Sequence, residues 1–509
     1  MILTQKSLFL QKVVYHFVLF VIFFLLFVSL ATAACDPQSL EKNPQTVLGC
    51  YIQDKAKGFN PTWALEEESQ SGNINIFQYR LDSLFWPQKN ISDKGTVWQH
   101  QVKVYQPKKL NSANSHQALL IINGGTNHPL NETKVSQSRN MDALAIAQAS
   151  RSYVIEMSYA PNQYLAFDDG IERKEDDLVA YTWNRYLNDP SQAYWSVHLP
   201  MAKAAVVTMD KVQALAKKKG WKVPQNFVVT GASKRGWAAW LVALADKRVN
   251  GLIPIVIDIL DTKANLEHIY QSFKGWPPAF NDYVSQGITT RIDSPEFSQL
   301  MQIEDPLTYD DNSAYRQRLA IPKYIISAAG DDFFAADSLS LYLDKLPGVN
   351  TLRAMPNQSH YIDMALVTQE VINFYGELIQ GISPPVLSWT LNKQGRLNTV
   401  NTHQAPKKVR LWQAYNPTLR DFRVNAGIVF TATSLSGECD KKSCQFKVAN
   451  VTQPKGYWAR FVEMSFATPS GDITVTTPII VSGKAWVVGE DLTELLKNAK
   501  LKPKVEIIQ

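Results

Sequence analysis

Apolar positions along this chain fall into two regimes. Between residues 118 and 380, short unbroken apolar runs alternate with stretches of helical periodicity. Residues 118–122, 227–229 and 251–257 are unbroken runs of this kind, and residues 153–157, 322–328 and 351–355 are further predicted strands that each include a charged residue, Glu156, Lys323 and Arg353. A strand that is apolar at every position is buried on both faces. Residues 199–218 carry Met201, Ala205, Met209, Val212 and Leu215 at steps of three and four, which predicts an amphipathic helix. Residues 140–150, 234–245, 337–346 and 364–380 are predicted helices too. Alternating strands and helices of this kind imply a mostly parallel sheet with helices on both faces and right-handed crossovers. Upstream, residues 74–84 and 97–105 interleave Val, Ile, Tyr and Phe with polar residues and suit an antiparallel pair at the sheet edge. Residues 35–73 read as mixed and loop-rich. Residues 261–318 show no strand but many aromatics, Trp276 among them, and are expected to form a cap or insertion.

At Ser383-Pro384-Pro385 the pattern changes. Short strands separated by turn signals follow, near residues 386–389, 408–412, 428–433, 444–448, 458–466 and 473–481. They predict an all-β sandwich over residues 386–509, with Trp389, Leu411, Phe430, Trp458 and Phe466 as core candidates. No titratable cluster stands out in this region, which points to a docking module able to meet a protein or a surface. The expected division is therefore a leader over 1–34, an α/β domain over 35–382 and a sandwich.

The leader changes the picture of where the protein works. Lys6 and Lys12 precede an apolar run over residues 17–28, and Ala31-Thr32-Ala33-Ala34 supplies small residues for cleavage. This is the pattern of a secretory signal peptide, and it predicts a secreted or periplasmic protein with no membrane span after cleavage; an uncleaved anchor is the alternative. Removing the leader takes the formal charge from +6 to +4. Acidic and basic residues are interspersed, which excludes a nucleic-acid footprint. The cysteines lie in two local pairs, and export allows disulfides, so Cys35–Cys50 and Cys439–Cys444 are the expected bridges among three connectivities. Neither Cys nor His shows metal-ligand spacing, and no cofactor or metal is expected. Sequons stand at Asn90, Asn131, Asn357 and Asn450.

Candidate chemistry concentrates at Phe227-Val228-Val229-Thr230-Gly231-Ala232-Ser233-Lys234-Arg235-Gly236-Trp237. This reads as strand, sharp turn and helix with Ser233 at the tip. It is close to the nucleophile elbow Gly-x-Ser-x-Gly, with the second glycine one place late. A serine hydroxyl needs a base, and the base needs an orienting carboxylate. The α/β-hydrolase order is Ser, acid, His. Asp331 follows the strand at 322–328, and His360 follows the strand at 351–355, so all three sit past the carboxyl ends of strands. Asp331 is the first choice of acid and Asp332 the fallback. The expected oxyanion donors are the backbone N–H groups of Lys234 and of Gly125, in the glycine pair after residues 118–122. Lys234 and Arg235 open a helix, where the dipole disfavours cations. Either a side chain there meets the oxyanion or an acidic substrate, or Arg235 is pinned by a buried carboxylate. Arg235 and Trp276 are accordingly candidate substrate contacts.

These residues carry a resemblance. The elbow stretch, together with Lys247-Arg248-Val249, Val256-Ile257-Asp258, Gly275-Trp276, Asp305-Pro306-Leu307, Gly330-Asp331-Asp332-Phe333-Phe334, Asn357 to His360, Leu411-Trp412-Gln413-Ala414 and Arg420-Asp421-Phe422-Arg423, resembles the PhoPQ-activated pathogenicity-related protein family, which is similar to the autocrine proliferation repressor proteins. The resemblance implies an exported α/β-hydrolase-like protein with a C-terminal β-sandwich and a link to virulence or the envelope response. It names no substrate. Three functions follow as expectations: a serine hydrolase acting on a small-molecule, glycan or lipid ester; a non-catalytic secreted signalling or interaction protein on the same scaffold; and a serine exopeptidase, which needs paired acidic residues to hold a substrate amine.

Overall fold

The computed structural model describes Cys35 and residues 37–53, 59–89, 91–127, 140–309, 313–451 and 455–483. The expected signal peptide and the sequons at Asn90 and Asn131 lie outside the described residues.

A nine-stranded sheet forms the centre, in the spatial order β1-β2-β3-β5-β4-β8-β9-β10-β11. Its first strands are β1 (Thr62–Ser71), β2 (Ile74–Trp86), β3 (Thr96–Pro107), β4 (Gln117–Ile122) and β5 (Tyr153–Met157). A two-residue hairpin, β6 (Leu165–Ala166) with β7 (Glu172–Arg173), stands apart. The sheet is completed by β8 (Asn226–Ala232), β9 (Val249–Ile255), β10 (Lys323–Ala328) and β11 (Asn350–Met355). β1, β2, β3 and β5 pair antiparallel, and the pairs from β5 through β4, β8, β9 and β10 to β11 are parallel. This is an α/β-hydrolase-type sheet with an extra strand at its antiparallel edge.

The continuous apolar runs are explained by what lies on the two faces. In β4, Ala118, Leu120 and Ile122 pack into one core while Leu119 and Ile121 pack into the other. The first core is covered by helices Glu175–Asn188, His198–Lys218 and Lys234–Ala245. The second is covered by Ala143–Ser150 and Met364–Gln380. Each fully buried Leu or Ile contributes roughly 1.5–3 kcal/mol of transfer free energy, so neither face tolerates a polar swap. The segment between β9 and β10 is helical, with Thr262–Phe273, Asn281–Ser285 and Pro295–Glu304 its main described helices.

Three expectations need correction. The pair β2–β3 is not the edge, because β1 lies outside it. β1 reads TWALEEESQS and is exposed almost throughout; charge on an edge strand blocks pairing with another chain, and it also erases the alternation that reveals a strand. Residues 35–53 hold two short helices, Pro37–Lys42 and Val47–Gln53. Residues 337–346 form two 3₁₀ turns, Ser338–Leu341 and Leu343–Lys345, rather than one helix. Asp337, directly before the first of these turns, makes no side-chain cap bond; it accepts from His268 Nε2 at 2.7 Å and pairs with Arg420.

C-terminal to Gln380, β12 (Leu387–Leu391), β13 (Leu397–Thr402), β16 (Glu438–Cys439) and β17 (Cys444–Lys447) make one antiparallel sheet. β14 (Lys408–Asn416), β15 (Thr431–Ser434), β18 (Tyr457–Thr468), β19 (Gly471–Thr476) and β20 (Ile480–Ser482) make the other. Val462, Met464 and Phe466 of β18 share a core with Val371 and Phe374 of helix Met364–Gln380. Both disulfides, Cys35–Cys50 and Cys439–Cys444, are formed. Among the described residues no helix is long and apolar enough to cross a membrane.

Asp337 ties the helical insertion (through His268) to the sandwich (through Arg420). Burial pushes its carboxyl up, but the charges of His268 and Arg420 outweigh burial and hold it at about 2. A depressed carboxyl stabilises the fold above its unfolded value of 3.8 and loses that contribution as pH falls towards about 2. Asp337→Asn is expected to cost about 3 kcal/mol in urea unfolding near neutral pH, the scale for breaking a buried ion pair. The gap to wild type should narrow as pH falls through that window.

Candidate active site

Ser233 sits between β8 and helix Lys234–Ala245, at φ 57° and ψ −131°. A non-glycine residue with positive φ is uncommon and is held there only by its surroundings. Those surroundings explain the glycine spacing. A Cβ on Gly236 would lie 2.8 Å from the Gly231 carbonyl oxygen, and one on Gly231 would lie 2.7 Å from the Arg235 carbonyl carbon. The second glycine comes one place late because Arg235 takes the intervening position and Gly231 makes room for it. Ser233 N–H donates to the Ile255 carbonyl at 2.8 Å, fixing the turn to the end of β9.

Three loops at the carboxyl ends of β8, β10 and β11 bring Ser233, Asp331 and His360 together. His360 Nε2 is 2.9 Å from Ser233 Oγ, and His360 Nδ1 is 3.0 Å from each carboxylate oxygen of Asp331. Asp331 Oδ1 also accepts from the backbone N–H groups of Phe333 and Phe334 at 2.8 and 3.3 Å. With a carboxylate beside Nδ1, the hydrogen belongs on Nδ1, and Nε2 keeps a lone pair for the serine hydroxyl. The arrangement can take a proton from Ser233 and stabilise the imidazolium that results. The Asp332 carboxylate accepts from Asn425 Nδ2 at 2.7 Å, and the His360 ring nitrogen meets Asp331 instead.

Lys234 and Arg235 are both buried, and both face carboxylates. Arg235 donates from Nη1 and Nη2 to the two oxygens of Glu175 at 2.7 and 2.6 Å, and from Nε to the Ala160 carbonyl at 2.6 Å. Its guanidinium is thus committed to the protein, which corrects the expectation that it meets substrate. Lys234 Nζ lies 2.9 Å from Glu175 and 3.0 Å from Asp176. Burial opposes the charge on Lys234, but Asp176 and Glu175 more than compensate and raise its pKa. Glu175 is held well below the usual carboxylate range: burial pushes it up, and Arg235 and Lys234 outweigh that.

This ion cluster reaches the glycine pair. The Arg235 guanidinium occupies the space a Cβ on Gly124 would need, 2.5 Å from Nη2. Gln163 Nε2 donates both to Glu175 at 2.6 Å and to the Gly125 carbonyl at 3.0 Å. Gly125 has φ 101°, a conformation that favours glycine. The Lys234 N–H opens its helix and is one of the four that a helix leaves without an internal partner.

Beside Ser233 lies a narrow, mainly apolar cavity with Trp183, Trp237, Ile257, Phe280, Tyr283 and Phe333 in its walls. Trp276 does not reach it. That ring packs 5.5 Å behind Phe280, which corrects its expected place at the substrate. His198, also in the wall, is fully buried; its Nδ1 is 2.9 Å from Glu304, and its Nε2 has no hydrogen-bond partner among the described residues. Below the acid loop, Asp258 accepts from Tyr342 at 2.8 Å. Burial, with the Asp331 charge adding, pushes Asp258 up to about 6. Among the described residues no group of His, Cys, Asp and Glu is placed to hold a metal ion.

The sequence did not single out Glu175, Asp176, His198 or Glu304, and it gave Asp258 no role. Glu175-Asp176-Asp177 looks like ordinary acidic residues in a helix's first turn. The one available signal was the need of two adjacent cations for partners.

A family model described as PhoPQ-activated pathogenicity-related protein matches residues 48–423. The chain belongs to this family. Autocrine proliferation repressor protein A of Dictyostelium discoideum is 33% identical over 381 residues, 71% of this chain and 73% of that protein. Among solved structures, acetyl xylan esterase 1 of a Thermoanaerobacterium species shares 14% identity over 62% of this chain and 87% of its own, with a TM-score of 0.40. Glucuronoyl esterase of Solibacter usitatus shares 14% over 68% of this chain and 93% of its own, also at 0.40.

Glu175 balances two cations, one of them bidentate and buried. Glu175→Gln is expected to cost about 2–3 kcal/mol in urea unfolding, below the full figure for a buried pair because Glu175 keeps 35% of its side chain exposed.

Proposed function

We propose that this protein is an exported serine hydrolase that cleaves carboxylic esters. The observation that carries the reading is the Ser233 Oγ to His360 Nε2 contact of 2.9 Å, with Asp331 on the far nitrogen of the same ring. In the proposed reaction Ser233 Oγ attacks the ester carbonyl while its proton passes to His360. The tetrahedral oxyanion is met by the N–H groups of Lys234 and Gly125. His360 then gives the proton to the leaving alcohol, and water repeats the sequence on the acyl-enzyme. The apolar cavity suits an ester with a hydrocarbon portion.

The exopeptidase alternative is disfavoured by Lys234. Paired carboxylates suited to a substrate amine are present as Glu175 and Asp176, but the ammonium of Lys234 fills the place between them. The interaction-protein alternative gives no reason for Ser233, His360 and Asp331 to be in line.

The reading is tested with a fluorophosphonate serine probe. Wild type is expected to be labelled and Ser233→Ala not. His360→Ala should label more slowly by on the order of 10³-fold or more, since removing the base of such a triad costs about as much as removing the nucleophile. An unlabelled wild type would favour the interaction protein.

A further inference from the structure

We propose that the segment 420–430 of the β-sandwich positions Asp331 and His360, so that the sandwich completes the reactive site. The proposal rests on the hydrolase reading above. The segment lies behind the two loops that carry these residues, and it bonds to both. Val424 N–H donates to the Gly330 carbonyl at 3.1 Å, and Gly330 N–H donates to the Gln358 carbonyl at 3.0 Å. The two loops are therefore joined to each other next to Asp331, and the sandwich holds the junction. Asn425 Nδ2 donates to Asp332 at 2.7 Å. Asn357, three residues before His360, receives Phe430 N–H on its side-chain oxygen at 2.8 Å and donates from Nδ2 to the Phe430 carbonyl at 3.0 Å.

Packing makes the contact tight. A Cβ on Gly330 would lie 2.7 Å from Val424 Cγ2 and 3.0 Å from Val424 N. Ala329 and Ala354, at the ends of β10 and β11, share a small core with Phe422, Phe430 and Phe461 of the sandwich. Arg423 stacks 4.4 Å over Phe273 of the helical insertion. Asn357 has φ 57°, a conformation that needs outside support and that asparagine tolerates better than most residues. These contacts fix the bases of both loops, whereas nothing in them touches Ser233 Oγ or the cavity. A shift of the His360 ring by even an ångström lengthens its bond to Ser233, and displacements of that size cost on the order of 10²-fold in rate.

The test uses the full-length protein and needs no known substrate. Gly330→Ala should lower the rate constant for fluorophosphonate labelling of Ser233 by at least about tenfold. Adding Val424→Gly, which removes the nearest obstructing atom and leaves the backbone contact at 3.0 Å, should restore part of the loss. Should Gly330→Ala not fold, Asn425→Ala and Asn357→Gly serve instead, glycine being at ease at the same φ; each should slow labelling while saturation by the probe is unchanged. A second readout is the downfield proton NMR signal of the His360 Nδ1–H facing Asp331, expected to weaken or move in each variant. It reports on positioning even if wild type proves unlabelled, an outcome that would overturn the hydrolase reading instead. Lowered thermal stability with an unchanged labelling rate and an unchanged proton signal would overturn the proposal.

Discussion

Glu175 neutralises two cations at the end of a helix where the dipole already favours anions. Its carboxylate takes both arms of the Arg235 guanidinium and the ammonium of Lys234, and it accepts from Gln163, which in turn holds the Gly125 carbonyl. Both expected oxyanion donors are thereby attached to one carboxylate. The Lys234 N–H is fixed because its own side chain and that of its neighbour are anchored. Gly125 is held because Gln163 donates to its carbonyl and the Arg235 guanidinium lies against Gly124. Two buried cations without this carboxylate would be too costly to keep.

The turn at Ser233 and this ion cluster impose the same demand on the sequence. The turn needs Gly231 and Gly236 because backbones meet there, and the cluster needs Gly124 because a guanidinium lies against its Cα. The three glycines therefore serve one volume. A second layer, formed by the sandwich, bears on the Asp331 and His360 loops from behind. Among the described residues the contacts of Lys234 and Arg235 come from the α/β domain, whereas Gly330 and Asn357 bond to Val424 and Phe430 of the sandwich.

Much of the fold was legible because buried parallel strands announce themselves as unbroken apolar runs. Ser233 was legible because it follows such a run, and Asp331 and His360 because they follow later predicted strands in the hydrolase order. β1 was not, since its charged, exposed residues carry no period-two signal. The role of Asp337 was not legible because sequence does not reveal that His268 and Arg420, each more than sixty residues away, claim its carboxylate. The partners of Lys234 and Arg235 lie nearly sixty residues upstream, and no local pattern links them. His198, in the cavity wall, meets Glu304 across 106 residues of sequence. What the sequence hid in each case was a long-range polar contact, which depends on tertiary placement and leaves no periodicity.

The central claim is that Ser233 forms an acyl-enzyme. Wild-type protein mixed with p-nitrophenyl acetate, quenched in acid within the first turnovers and digested for peptide mass spectrometry, tests it most directly. The account predicts one acetyl group on the peptide containing Ser233, absent from Ser233→Ala, and released on standing before the quench. Acetyl groups found only on lysine side chains, or none on the Ser233 peptide while p-nitrophenol is still produced, would contradict it.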